Sequence, residues 1–245
     1  MAQRGHDVMP AASPRSGWRR PLVTGVVLIL AAVLGAAAVV ALGRGGEGDA
    51  EPRPQASSSS GVNSAGVLAC VGGPDPTQAV LAAVRGPATP EGAAEAAAAV
   101  VRFTESRAFG ELTAGQVIAQ IGDSSGSPEL VTLQQGQAPA VAQMTATDAR
   151  PGQGVFAVTP EPLSPTVTVV TPVEWSTGNA QHRTWRAISV QLMRMDNRWA
   201  VVSAGTAALA PDLASLRGAE VQDGDLDRYS AALTVNGFRR YEGDC

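Results

Sequence analysis

The sequence predicts an α+β fold: helices packed on a curved antiparallel sheet, behind one N-terminal transmembrane helix. Three observations carry this. Residues 22–42, LVTGVVLILAAVLGAAAVVAL, are one uncharged apolar run. A helix-period stretch with clear start signals follows Thr89. Late in the chain, Ile188, Val190 and Leu192 alternate with Ala187, Ser189 and Gln191 and lead into an Asp196-Asn197 turn.

The apolar run would span roughly 31 Å as a helix, the hydrocarbon thickness of a bilayer. Residues 1–21 carry Arg4, Arg15, Arg19 and Arg20 against Asp7. Residues 43–54 carry Arg44 and Arg53 against Glu47, Asp49 and Glu51. That asymmetry places the N-terminus in the cytoplasm and the rest outside, in a bacterial cell membrane. A cleavable signal peptide is the rival reading, with Val39-Val40-Ala41 as a passable cleavage site. Its apolar core would be about 7–15 residues, shorter than this run. Val67-Leu68-Ala69-Cys70 is not read as a lipidation box, because SSSSGVNSAG precedes it. Ala31 with Gly35, and Ala32 with Ala36, fall at the spacing that lets two helices approach closely. They read first as part of the chain's Ala-rich composition, with a homo-oligomer formed through this face as the alternative.

All eighteen basic residues are Arg, and Ala and Gly abound, the composition of a GC-rich bacterial genome. Residues 43–66 read as a flexible linker of Gly, Pro and Ser that cannot bury enough surface to order itself. Residues 67–245 are one extracytoplasmic domain. The domain is mildly acidic and has no basic run, which gives nucleic-acid binding no support. Cys70 and Cys245 bracket it. In an oxidising compartment they read as a disulfide, contributing about 4–5 kcal/mol at most for a loop this long; two unpaired thiols are the alternative.

Taken in order, residues 77–84 make a short helix. The next is predicted over 90–108, with Thr89 as N-cap, Pro90 at the first position and Glu91 and Glu95 near the positive end of the dipole. Ala93, Ala97, Val100, Val101, Thr104 and Ala108 share its buried face; Glu91, Glu95 and Arg102 share the opposite one. Thr113 and Gln116 form a capping-box pattern before VIAQI. Ser127-Pro128-Glu129 opens another helix ending at Gly136. Residues 138–154 read as loop with a short strand around 140–144. Strands follow at 155–159 and 166–175, where Pro172 suggests an edge or a bulge. The hairpin RTWRAISVQLMRMDNRWAVVSAG is the strongest strand signal. A loop around Pro211 and a short helix, LDRYSAALTV, behind Asp223 and Asp227 complete the chain.

Candidate chemistry is thin. Gly122-Asp123-Ser124-Ser125-Gly126 matches G-x-S-x-G, a motif that works when a strand enters and a helix leaves a strained turn. VIAQI could be that strand, but only His182 could serve as base, and βαβ alternation is missing. His182 has no second ligand at metal spacing, and Asp223 and Asp225 read as solvated loop charge. Trp175, Trp185 and Trp199 read as sheet packing ahead of a ligand pocket. No catalytic, cofactor-binding or metal residue is assigned.

The helix AAEAAAAVVRFTES and the hairpin ISVQLMRMDNRWAVVSAG together resemble the nuclear-transport-factor-2-like (cystatin-like) fold, over about residues 89–204. Behind a single anchor and a linker, the arrangement resembles the bridging membrane subunit of type IV secretion and conjugation machines. It is similar also to membrane proteins of lipid-import operons. The resemblance implies a non-enzymatic scaffold that docks other membrane subunits of such an apparatus. The alternative is an accessory domain that binds a small molecule or lipid on the concave sheet. A cone filled by Trp, Leu and Val favours the scaffold; an Asp or His pointing into it favours an enzyme.

Overall fold

The computed structural model describes residues 64–111, 113–144 and 146–243. These belong to one unit, Gln55–Cys245. The expected anchor at 22–42, the tail before it and most of the linker lie outside the described residues. No helix among the described residues is long and apolar enough to cross a membrane.

The first described element is a strand not expected from sequence, β1 (Ser64–Leu68), which begins inside the segment read as linker. Helix α1 (Pro76–Ala83) follows. Asp75 caps it by accepting from the Gln78 amide at 2.8 Å, and Pro76 takes the first position, where a missing N–H costs nothing. Helix α2 (Pro90–Thr104) starts as the sequence predicts, with the Thr89 hydroxyl accepting from the Gly92 amide at 3.1 Å. Only glycine fits at position 92, since a Cβ there would lie 2.2 Å from the Pro87 carbonyl oxygen.

Two expectations for this helix are corrected. It stops at Thr104 rather than running to 108. The Thr104 and Ser106 hydroxyls bond back to the carbonyls of Val101 and Phe103, Ser106 turns extended, and a separate α3 (Arg107–Gly110) sets off. The break brings Phe109 edge-on to Phe103, with ring centroids 5.3 Å apart. Arg102, expected in solvent, is buried because the α1 side packs over that face as well. Its guanidinium donates to the carbonyls of Gly73 at 3.1 Å and Pro74 at 2.6 Å.

Helix α4 (Ala114–Ile121) forms without the capping box, since Thr113 has helical dihedrals and its side chain makes no cap bond. Helix α5 (Pro128–Val141) runs past Gly136 and contains Pro139. The short strand expected at 140–144 is therefore displaced: those residues finish α5 and turn, and β2 is Ala146–Ala149.

Five more strands complete a curved, mixed, seven-stranded sheet: β3 (Val155–Val158), β4 (Thr166–Thr177), β5 (Ala180–Met195), β6 (Arg198–Thr206) and β7 (Arg239–Glu242). The order is β1-β7-β3-β4-β5-β6, with β2 also beside β4. All pairs are antiparallel except β1 with β7. The wholly antiparallel sheet expected is thus corrected, because the last strand enters alongside the first in the same direction.

Pro172 marks neither an edge nor a bulge. Strand β4 is central, but β3 covers residues 167–170 and β2 covers 173–176. Pro172 faces Trp185 on β5, and Trp185 turns its own N–H and C=O away, to Ala219 and Gly218. The missing proline N–H therefore points into the join between two short strands, where no ladder bond is lost. The hairpin closes as expected, Met195 opposite Arg198, with Asp196 at φ 49° in the turn.

Both faces of the sheet are covered except at the far end of β4 and β5, where residues 174–183 are half-buried or exposed. On one face, α1, α2 and α4 pack against Phe156, Val167, Val169, Val190, Leu192 and Trp199. On the other, the segment after β6 lays Leu213, Leu216, Leu226, Leu233 and Phe238 over Val155, Val170, Trp185 and Ala187. This second cover was read from sequence as loop and one helix. It holds a 3-10 turn, Ala214–Leu216, and two short helices, α6 (Asp225–Arg228) and α7 (Ser230–Val235). Residues 218–221 also bond along the open half of β5, so that edge is not left bare.

Candidate functional site

The G-x-S-x-G match is an ordinary turn. A helix, α4, enters it instead of a strand. The Asp123 carboxylate accepts from the Ser125 amide at 2.9 Å, the Ser125 hydroxyl at 2.7 Å and the Ser127 amide at 3.1 Å. The Ser125 hydroxyl, then the Ser127 amide, hold this carboxyl below its usual range. Ser127 is the serine that matters structurally. It is buried at φ 53°, and its hydroxyl donates to the Val201 carbonyl, pinning the α4–α5 turn to β6. No strained nucleophile is displayed.

His182 is the cross-strand partner of Trp175 and stacks on it, ring centroids 4.2 Å apart. Asp225, read as solvated, is buried: it accepts from the Trp185 indole at 2.8 Å and the Gln222 amide at 2.8 Å and pairs with Arg228. Asp223 lies in the loop before α6. Among the tryptophans, Trp199 is a core residue whose indole donates to the Pro87 carbonyl at 3.0 Å, with the Arg194 guanidinium over its ring. Trp185 belongs to the second core, and Trp175 is half-buried.

The space between helices and sheet is filled. Phe103, Phe109, Ile118, Ile121, Leu130, Leu192 and Trp199 are fully buried there. At its rim, past the end of α2, polar groups line a cavity of about 320 Å³. Thr104 at the end of α2 and Glu105 just past it line the cavity, with Leu133 and Gln137 from α5, Arg186 and Ile188 from β5, Ala204 and Thr206 from β6, and Arg217 from the second cover. A smaller cavity of about 120 Å³ shares Thr104, Glu105, Gln137 and Arg186 and adds Thr147 and Trp175. Burial pushes the Glu105 carboxyl above its usual range, and the charge of Arg186 opposes that. Thr147 fixes the Glu105 backbone, its hydroxyl donating to that carbonyl at 2.7 Å.

Sequence reasoning missed this crevice, although one signal was present. Ile188, Val190 and Leu192 alternate inward, so Arg186 extends the same inward row with a charge at the rim.

Among the described residues no group of three His, Cys, Asp or Glu is placed to hold a metal ion. Cys70 follows the point where the Ala69 amide donates to the Glu242 carbonyl at 3.0 Å, and no described cysteine is a free thiol. Cys245 lies outside the described residues.

Comparison with protein-family models, curated proteins and solved structures returns no match.

Proposed function

We propose that the chain is a non-enzymatic, single-pass membrane component of a conjugation or secretion apparatus, and that residues 67–245 form its docking domain outside the membrane. The supporting observation is the filled interior: the helix–sheet space that would house an active site is packed with Phe, Ile, Leu and Trp. Most of both sheet faces is also spent on intramolecular cover, which leaves the outer surface for recognition. Residues 22–42 supply the anchor, the Arg flank sets the cytoplasmic N-terminus, and other membrane subunits or a second copy are the partners. Cys70 and Cys245 form a disulfide in this reading, holding the chain end beside β1. Recovery of both as alkylatable thiols in non-reducing peptide mapping would remove that element.

Among the described residues, the large apolar side chains left in solvent are Leu68, Leu163 and Val235, at 49%, 66% and 85% exposure. A photo-crosslinker placed at each in envelope membranes is expected to join at least one position to membrane subunits of a single transport apparatus. If all three positions yield only uncrosslinked chain, the docking reading fails.

A further inference from the structure

The crevice past α2 holds opposite charges that do not meet. Glu105 and Arg186 line the same wall, yet neither stands in an ion pair at contact distance among the described residues, and no hydrogen bond reaches the Glu105 carboxylate there. Arg217 adds a second guanidinium, one nitrogen of which donates to the Ala207 carbonyl at 3.2 Å. The Glu105 carboxylate thus faces the crevice with its acceptor sites open, and a guanidinium presents a planar fork suited to a carboxylate. The remaining lining is apolar, from Leu133, Ile188 and Ala204, or neutral polar, from Gln137, Thr104 and Thr206. At about 320 Å³ the cavity stands at the small end of ligand sites.

We infer that this crevice binds a short-chain hydroxycarboxylate, its carboxylate on Arg186 and Arg217, its hydroxyl donating to Glu105, and its aliphatic end against Leu133 and Ile188. Two guanidinium groups and one carboxylate leave one positive charge, which a single ligand carboxylate neutralises. The hydroxyl satisfies the acceptor that the protein leaves open. This binding goes beyond the docking reading and stands without it.

The test is equilibrium dialysis of radiolabelled α-hydroxyisocaproate against the purified full chain. Two competitors dissect the contacts: isocaproate lacks the hydroxyl, and α-hydroxyisocaproamide lacks the charge. Saturable binding is expected, with isocaproate roughly tenfold weaker, for the one charge-assisted hydrogen bond to Glu105 lost, and the amide weaker still, for the charge lost on both arginines. Arg186→Gln should weaken binding by a similar factor without moving the thermal melt, since that side chain is largely exposed. Arg217→Gln provides an independent second variant. The inference is overturned if no saturable binding occurs, if the amide competes as well as the acid, or if both Arg variants bind like the wild type.

Discussion

The two covers of the sheet are built on different principles. The helical cover is periodic and apolar: in α2 every residue from Gly92 to Thr104 except Glu95 is buried, mostly as Ala and Val. Small side chains let that helix lie close to the strands, so its stability comes from dense packing. The second cover is irregular and acidic. Its large side chains, Leu213, Leu216, Leu226, Leu233 and Phe238, come from scattered positions, and directed polar bonds fix the segment, Trp185 to Asp225 and the 218–221 backbone to β5. One sequence can thus close a sheet twice, once by volume and once by hydrogen bonds. Only the first way leaves a strong pattern along the chain.

The difference makes graded predictions. Phe103→Ala removes a fully buried ring and its edge contact with Phe109. It should cost about 3–5 kcal/mol in urea melts. Leu216→Ala, in the second cover, should cost nearer 2 kcal/mol, because an irregular segment can settle into the space left. Equal losses at the two sites would erase the distinction between the covers. Asp225→Ala strands the Trp185 indole N–H without its acceptor, at about 1–3 kcal/mol. Hydrogen exchange should then quicken at residues 218–221 and stay unchanged in α2; uniform quickening would mean that the second cover is no separate unit.

What the sequence made legible follows the same division. The Thr89 cap, the inward row of Ile188, Val190 and Leu192, and the Asp196 turn are local or periodic signals, and each is where it was expected. Arg102 was misplaced because a period assigns faces without saying whether both are covered. Strands β1 and β7 were missed because each is four or five residues long and exists by pairing with strands distant in sequence, β1 with β7 and β7 also with β3. Asp225 looked solvated because its partner, Trp185, is 40 residues away in sequence. At the crevice, Arg186 could be placed by alternation, but Glu105 could not, since its position depends on where α2 breaks.

The smallest expected effect is at that rim. Burial raises the Glu105 carboxyl in the folded state, so between its ordinary value and the raised one the native chain binds more protons than the unfolded chain. Stability from this group therefore falls as pH rises through that window. Glu105→Gln should be slightly more stable than the wild type at neutral pH, with the gain gone below the ordinary carboxylate range. A gain that persists in acid would show that packing, not charge, sets the effect.

A non-catalytic, anchored part of an envelope apparatus is the role proposed for the domain. The direct measurement is DNA or protein transfer from cells in which the gene has been deleted. Transfer is expected to be lost, to return with the full chain and with the Ser124→Ala and His182→Ala variants, and not to return with a secreted form lacking residues 1–54. Undiminished transfer in the deletion strain, or failure of Ser124→Ala or His182→Ala to restore it while folded, would contradict the account.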